Sequence, residues 1–161
     1  MKAPFVLTIA AFVALSGASA AADPVSVEVA YTTKEQMKFE FADGSNRFVL
    51  AVLRQGTAEG TGVFAGAAVE EFGWHDIHPP ISGDPQGYLQ LTAENGDVAV
   101  LRWSVKAVFM KGGDKPALFD NGFWELVGGT GQFEGKRGVG SIIIRAAEQK
   151  LVLEGEVGDK P

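Results

Sequence analysis

Apolar and polar residues alternate with a period of two along most of the chain. Val25, Val27, Val29 and Tyr31 share one face, while Ser26, Glu28 and Ala30 share the other. After Thr32–Glu35 the alternation restarts, with Met37, Phe39 and Phe41 opposite Gln36, Lys38 and Glu40. This is the pattern of a β-strand with one solvated face. Over 47–55, Phe48, Val49, Leu50, Val52 and Leu53 are apolar on both faces, which predicts a strand covered on both sides. Across a strand predicted over 97–110, Ala99, Leu101, Trp103, Val105, Ala107 and Phe109 oppose Arg102, Ser104 and Lys106. Further strands are predicted over 63–72, 88–93, 121–127 and 139–145. In the last strand Leu151, Leu153 and Val157 lie opposite Lys150, Glu154 and Glu156.

Turn signals separate these segments. Asp43-Gly44 and Asn95-Gly96 are hairpin dipeptides. Residues 56–62 read as a loop, 111–115 and 146–149 as turns, and 128–138 as a glycine-rich connection. Residues 74–86 hold three prolines and both histidines of the chain, and are expected to form a long ordered loop. No segment has a helical period, and no internal repeat is present. About eight or nine strands with short connections must protect their edges, and closure into a single antiparallel barrel does so. The first and last strands each have a clean apolar face and so could pair. A two-sheet sandwich meets the same cues and stays as the alternative.

The N-terminus changes the domain picture. Lys2, the apolar run from Phe5 to Leu15 and the small-x-small pattern Ala18-Ser19-Ala20 read as a signal peptide cleaved after Ala20. Residues 1–20 are then an address, and 21–161 one barrel domain without a membrane span, exported to the periplasm or beyond. A formal charge of −6 argues against nucleic acid as a partner. The chain has no cysteine, which rules out disulfides, thiolate metal sites and a cysteine nucleophile.

The segment Gly122-Phe123-Trp124-Glu125-Leu126-Val127-Gly128-Gly129-Thr130-Gly131-Gln132-Phe133-Glu134-Gly135-Lys136-Arg137-Gly138-Val139-Gly140 is the most informative. Gly128, Gly129 and Gly131 would let the chain reverse sharply after a strand, Phe133 would plug into the core, and Gly135 and Gly138 would permit a second bend. A phosphate-cradle role lacks both the following Lys-Ser/Thr and a helix. The spacing of these glycines resembles that of allene oxide cyclases and plant dirigent proteins, and of small exported bacterial proteins of unassigned role. The resemblance implies an eight-stranded, calycin-type antiparallel barrel with an apolar interior, trimeric in many plant members. The catalytic acid and proline of the cyclases, and the interior aspartates and arginines of dirigent members, have no matching positions here. Glu28 lies on a polar face, which argues against an interior acid. Gly122-Phe123-Trp124 imitates the lipocalin G-x-W, but that motif belongs to a first strand.

Candidate chemistry is sparse. His75, Asp76 and His78 would converge on a metal only if their loop curled, because strand geometry sends 75 and 78 to opposite faces. No metal and no cofactor is therefore expected. The same loop could cover a barrel mouth and offer His75 or His78 as acid or base. Glu70 and Glu71 are adjacent and point apart on a strand, and no Ser-His-Asp set assembles. Tyr31, Phe39, Phe41, Trp103, Phe109 and Trp124 are expected on inner faces. With Trp74, His75 and His78 at the mouth, they form the expected ligand-binding set. Three functions follow: a non-catalytic barrel binding a small apolar molecule, an isomerase or cyclase acting on one, or an interaction protein with a filled core.

Overall fold

A computed structural model describes residues 22–112 and 117–160. The predicted signal segment and most of the 111–115 turn lie outside the described residues. The strands are β1 (Asp23–Glu40), β2 (Phe48–Thr61), β3 (Ala68–His78), β4 (Ser82–Gly83), β5 (Gln86–Thr92), β6 (Val98–Met110), β7 (Ala117–Gly129), β8 (Lys136–Arg145) and β9 (Lys150–Asp159). All pairings are antiparallel. Eight strands close a ring in the order β1, β2, β3, β5, β6, β7, β8, β9, and β9 returns to β1 with Val27 opposite Leu153. The two-residue β4 bridges β3 and β6 beyond the end of β5. The expected closed barrel therefore forms, sealed by the first and last strands, and the sandwich does not.

Four elements differ from their sequence prediction, the first being 63–67, which is turn, so that the strand expected over 63–72 begins at Ala68. β2 continues through the expected loop at 56–62. Most of the expected loop at 74–86 is sheet: β3 runs to His78, and a turn closed by the Ile81 N–H on the His78 carbonyl (2.7 Å) leads into β4. Pro79 and Pro80 sit in that turn, where a missing N–H costs no ladder bond. Gly128 and Gly129 belong to β7, and the reversal comes later, in a short 3-10 turn at Gly131–Phe133. Gly131 takes φ +53°, and a Cβ there would lie 1.9 Å from Asp97 Oδ1. The Asp97 carboxylate accepts from the Gln132 N–H (2.9 Å), which locks this turn to the Asn95-Gly96 hairpin.

One half of the barrel is filled by apolar side chains. Phe64, from the β2–β3 connection, meets Trp124 edge to face at 5.7 Å and Phe133 at 5.8 Å. Leu89, Leu91, Leu101, Ile142 and Leu153 close around them with no exposed surface. Trp124 fits because Gly140 and Gly155 have no side chain: a Cβ on either would lie 2.7 Å from its ring. Gly138, expected at a bend, lies in β8 beside the same ring.

The other end of the barrel is uneven. β9 begins at Lys150, opposite Ala30, while β1 continues to Glu40 paired with β2 alone. β8 ends opposite Asp120, while β7 reaches back to Ala117 paired with β6 alone. Two tall hairpins therefore stand either side of the low β8–β9 connection, leaving a notch in the wall. A bulge between Thr33 and Glu35 reverses the phase of β1 as it rises into this end. Gln36, not Met37, is then opposite the inward Val52. This overturns the inner-face expectation for Phe39 and Phe41, which are 61% and 36% exposed on the outside.

Candidate functional site

The inner face changes character at the notched end. β1 contributes Tyr31, β2 Arg54, β3 Glu71 and His75, β6 Trp103 and β7 Asp120, all buried. They share the inner face because each is in phase with the apolar core of its strand: Glu71, Gly73, His75 and Ile77 continue from Val69. Arg54 Nη1 donates to both Glu71 carboxylate oxygens at 3.2 Å, and the guanidinium lies 4.4 Å over the Tyr31 ring. His75 Nε2 is 3.9 Å from Glu71 Oε1, too far for a hydrogen bond, and its ring is 5.8 Å from that of Trp103. Gly73 makes the room these groups need, since a Cβ there would lie 2.7 Å from His75 Nε2 and 2.9 Å from Glu71 Oε1.

Burial sets the protonation states. Desolvation pulls His75 down to about 4, helped by the Arg54 charge, so its imidazole is neutral at neutral pH. Desolvation raises Glu71, against the lowering effect of the Arg54 charge and hydrogen bonds. Desolvation raises Asp120 to about 6, again opposed by Arg54. Burial also raises the Tyr31 hydroxyl. Among the described residues, four buried side-chain atoms have no hydrogen-bond partner: Arg54 Nε, His75 Nε2, Trp103 Nε1 and Asp120 Oδ1. Each such atom costs about 1–3 kcal/mol when left dry. The set contains both donors and acceptors.

Asp120 also lines a depression of about 630 Å³ in the notch. Leu118, Phe119, Ile143 and Ile144 form its apolar wall, and Arg145 and Glu148 its lip. Arg145 lies 3.7 Å from Glu28 and 3.8 Å from Glu148, so its charge is shared between two carboxylates.

Of the residues expected to bind a ligand, the structure brings Tyr31, His75, Trp103 and Trp124 inside. Tyr31, His75 and Trp103 join the polar cluster, whereas Trp124 sits in the filled half. Phe109 is half-buried at the tall end, and His78 is half-buried at the rim. Trp74 faces outward, 44% exposed, in a band with Phe72, Tyr88 and Phe123. Asp76 points away from His75 and accepts from Arg47 Nε at 2.8 Å, so strand geometry separates His75 from Asp76 and His78. Glu28 is on the outer face as expected, paired with Lys150 at 2.5 Å.

Arg54, Glu71 and Asp120 were absent from the sequence-derived set. Glu71 was within reach: the alternation through Val69, Glu71, His75 and Ile77 already placed it beside the histidine, once 74–78 is read as strand. Asp120 keeps the phase of Trp124 and Leu126, and Arg54 that of Val52 and Ala58.

No family model and no curated protein matches this chain. A solved structure shares the fold. It is a β-barrel-like protein from Acinetobacter baumannii AYE, determined at 1.43 Å, with a TM-score of 0.55 and 11% identity. The match covers 85% of this chain and 94% of that one. The likeness is one of architecture.

Proposed function

We propose that this is an exported barrel that binds one small molecule at its notched end, through a polar head group set against the Arg54, His75, Trp103 and Asp120 cluster. The observation that carries the reading is the set of four unpartnered buried atoms at one end of an otherwise filled interior. A purely apolar ligand deep in the barrel finds no room among Trp124, Phe64 and Leu101. A ligand with hydrogen-bonding capacity at this end offsets a desolvation cost that the fold alone leaves standing. The 128–138 glycine segment supports placing the chain among small exported relatives of the allene oxide cyclase and dirigent barrels.

Native mass spectrometry of protein purified from its host tests the binding reading. A reproducible adduct, lost in a His75→Phe variant that occupies the cluster with carbon, is the expected result. Adduct-free preparations combined with a high-resolution structure showing the four atoms satisfied by each other would overturn it. The same experiment tests export, because the mature mass should begin at Ala21.

A second reading has one observation behind it. Asp120 and His75 are both buried on the inner face at the notched end, where a carboxylate raised by burial to about 6 is suited to act as a general base. An isomerase or cyclase would use that base on a bound substrate. Its distinguishing sign would be exchange of a ligand C–H with solvent deuterium in the wild type and not in Asp120→Asn.

A further inference from the structure

The notch has a chemistry more specific than small-molecule binding. Asp120 is 95% buried by its 5% residual exposure, and its Oδ1 has no partner. The walls beside it are aliphatic and aromatic: Leu118, Phe119, Ile143 and Ile144. Arg54 is the charge that acts on this carboxylate, and its Nη1 is committed to Glu71. Arg54 on β2 is held by Glu71 and stacked on Tyr31, and Arg145 on the lip is shared by Glu28 and Glu148. The other titratable groups at this end are Tyr31 on β1, His75 and Glu71 on β3, and Glu148 at the lip, none of them a further cation at neutral pH. Two buried carboxylates, Glu71 and Asp120, share the one buried guanidinium of Arg54, so acid outnumbers base beside this apolar recess. A cation with an apolar body satisfies both features, and neither an anion nor a neutral alkane does.

We infer that the depression between β7 and β8 is a binding site for organic ammonium compounds, with Asp120 accepting the N–H of the ammonium head and Leu118, Phe119, Ile143 and Ile144 holding its apolar body. The inference rests on the binding reading above and names its ligand class. The ammonium donates one hydrogen bond to the part of the Asp120 carboxylate that reaches the depression and presents its remaining N–H groups to water or to the Glu148 carboxylate. Volume does not limit this assignment, because the recess falls in the range of ordinary small-molecule sites.

Hexylammonium, hexanol and hexanoate, titrated separately into the mature protein and followed by amide chemical shifts, test the assignment. Their apolar bodies match, so differences report the head group. Hexylammonium should shift residues around Asp120 and Ile144 and bind on the order of tenfold more tightly than hexanol, with hexanoate weakest. Asp120→Asn should remove that preference. Because this variant could fold differently, the wild type supplies a second measurement: hexylammonium affinity should fall as pH drops through Asp120's titration near 6, while hexanol affinity stays constant. Hexanol or hexanoate binding as well as hexylammonium would overturn the ammonium assignment and leave the notched end as a site. Silence from all three would count against both.

Discussion

Gly73 lies beneath His75 on the inner face of β3, and the imidazole occupies the space a side chain at 73 would fill, 2.7 Å from the missing Cβ. The neighbouring Glu71 carboxylate would be 2.9 Å from the same atom, and Val52 Cγ2 3.1 Å. One methyl group therefore pushes on an ordered ring, a buried ion pair and a packed aliphatic at once. Gly73→Ala should destabilise the fold by about 1–3 kcal/mol, the usual cost of overpacking a close-packed interior. Urea unfolding measures it. A midpoint equal to wild type would show that His75 has free space to move into.

The buried Arg54–Glu71 pair predicts an asymmetry between single and double substitution. Removing either partner leaves the other charged or unsatisfied inside the barrel, at a cost of about 3–5 kcal/mol. Arg54→Met should therefore be strongly destabilising, and Arg54→Met with Glu71→Leu should recover most of the loss. Equilibrium denaturation of the two variants and the wild type gives the coupling. Additive losses would mean that the pair is not isolated from water as its burial indicates.

The barrel was legible in the sequence because its evidence is periodic. Val25 to Tyr31, Ala99 to Ala107 and Leu151 to Leu153 each show a buried face in the chain itself, and Asn95-Gly96 announces its hairpin. What was not legible depended on single residues that interrupt the period. The bulge at Thr33–Glu35 inserts one residue and sends Phe39 and Phe41 outside, and no composition cue marks it. Proline content concealed the continuation of β3 to His78, and with it the shared face of Glu71 and His75. Pairing partners far apart in sequence, such as Asp120 with the β8 terminus, are set by strand register, which alternation alone does not supply.

The outward turn of Trp74 makes a simple optical prediction. Trp103 and Trp124 have 1% and 0% exposure, against 44% for Trp74. Acrylamide should quench native tryptophan emission in one accessible class and one protected class. Trp74→Phe should remove the accessible class while leaving unfolding free energy within about 0.5 kcal/mol, as is usual for an exposed position. Loss of the protected class instead would place Trp74 inside the barrel and reverse the strand phase assigned to β3.

Asp120 and His75 should push stability in opposite directions with pH. Asp120 moves from 3.8 up to about 6 on folding. Between those values the folded chain holds a proton that the unfolded chain has released. Its contribution therefore makes the fold less stable as pH rises through that window, and the penalty is complete above about 6. His75 moves from 6.5 down to about 4. Across that window the unfolded chain holds the proton, so its contribution makes the fold more stable as pH rises, and the penalty is complete below about 4. In the wild type the two trends offset each other. His75→Gln should leave the Asp120 trend exposed, so that acidification from about pH 6.5 to about pH 4 stabilises the variant relative to wild type. Asp120→Asn should do the reverse and lose stability relative to wild type over the same interval. Glu71 is raised in all three proteins and cancels in the comparison, provided its pairing with Arg54 persists. Urea midpoints at several pH values in the window decide the matter. Parallel curves for wild type and both variants would show that neither group titrates from inside the barrel, and the polar end would then be open to bulk water.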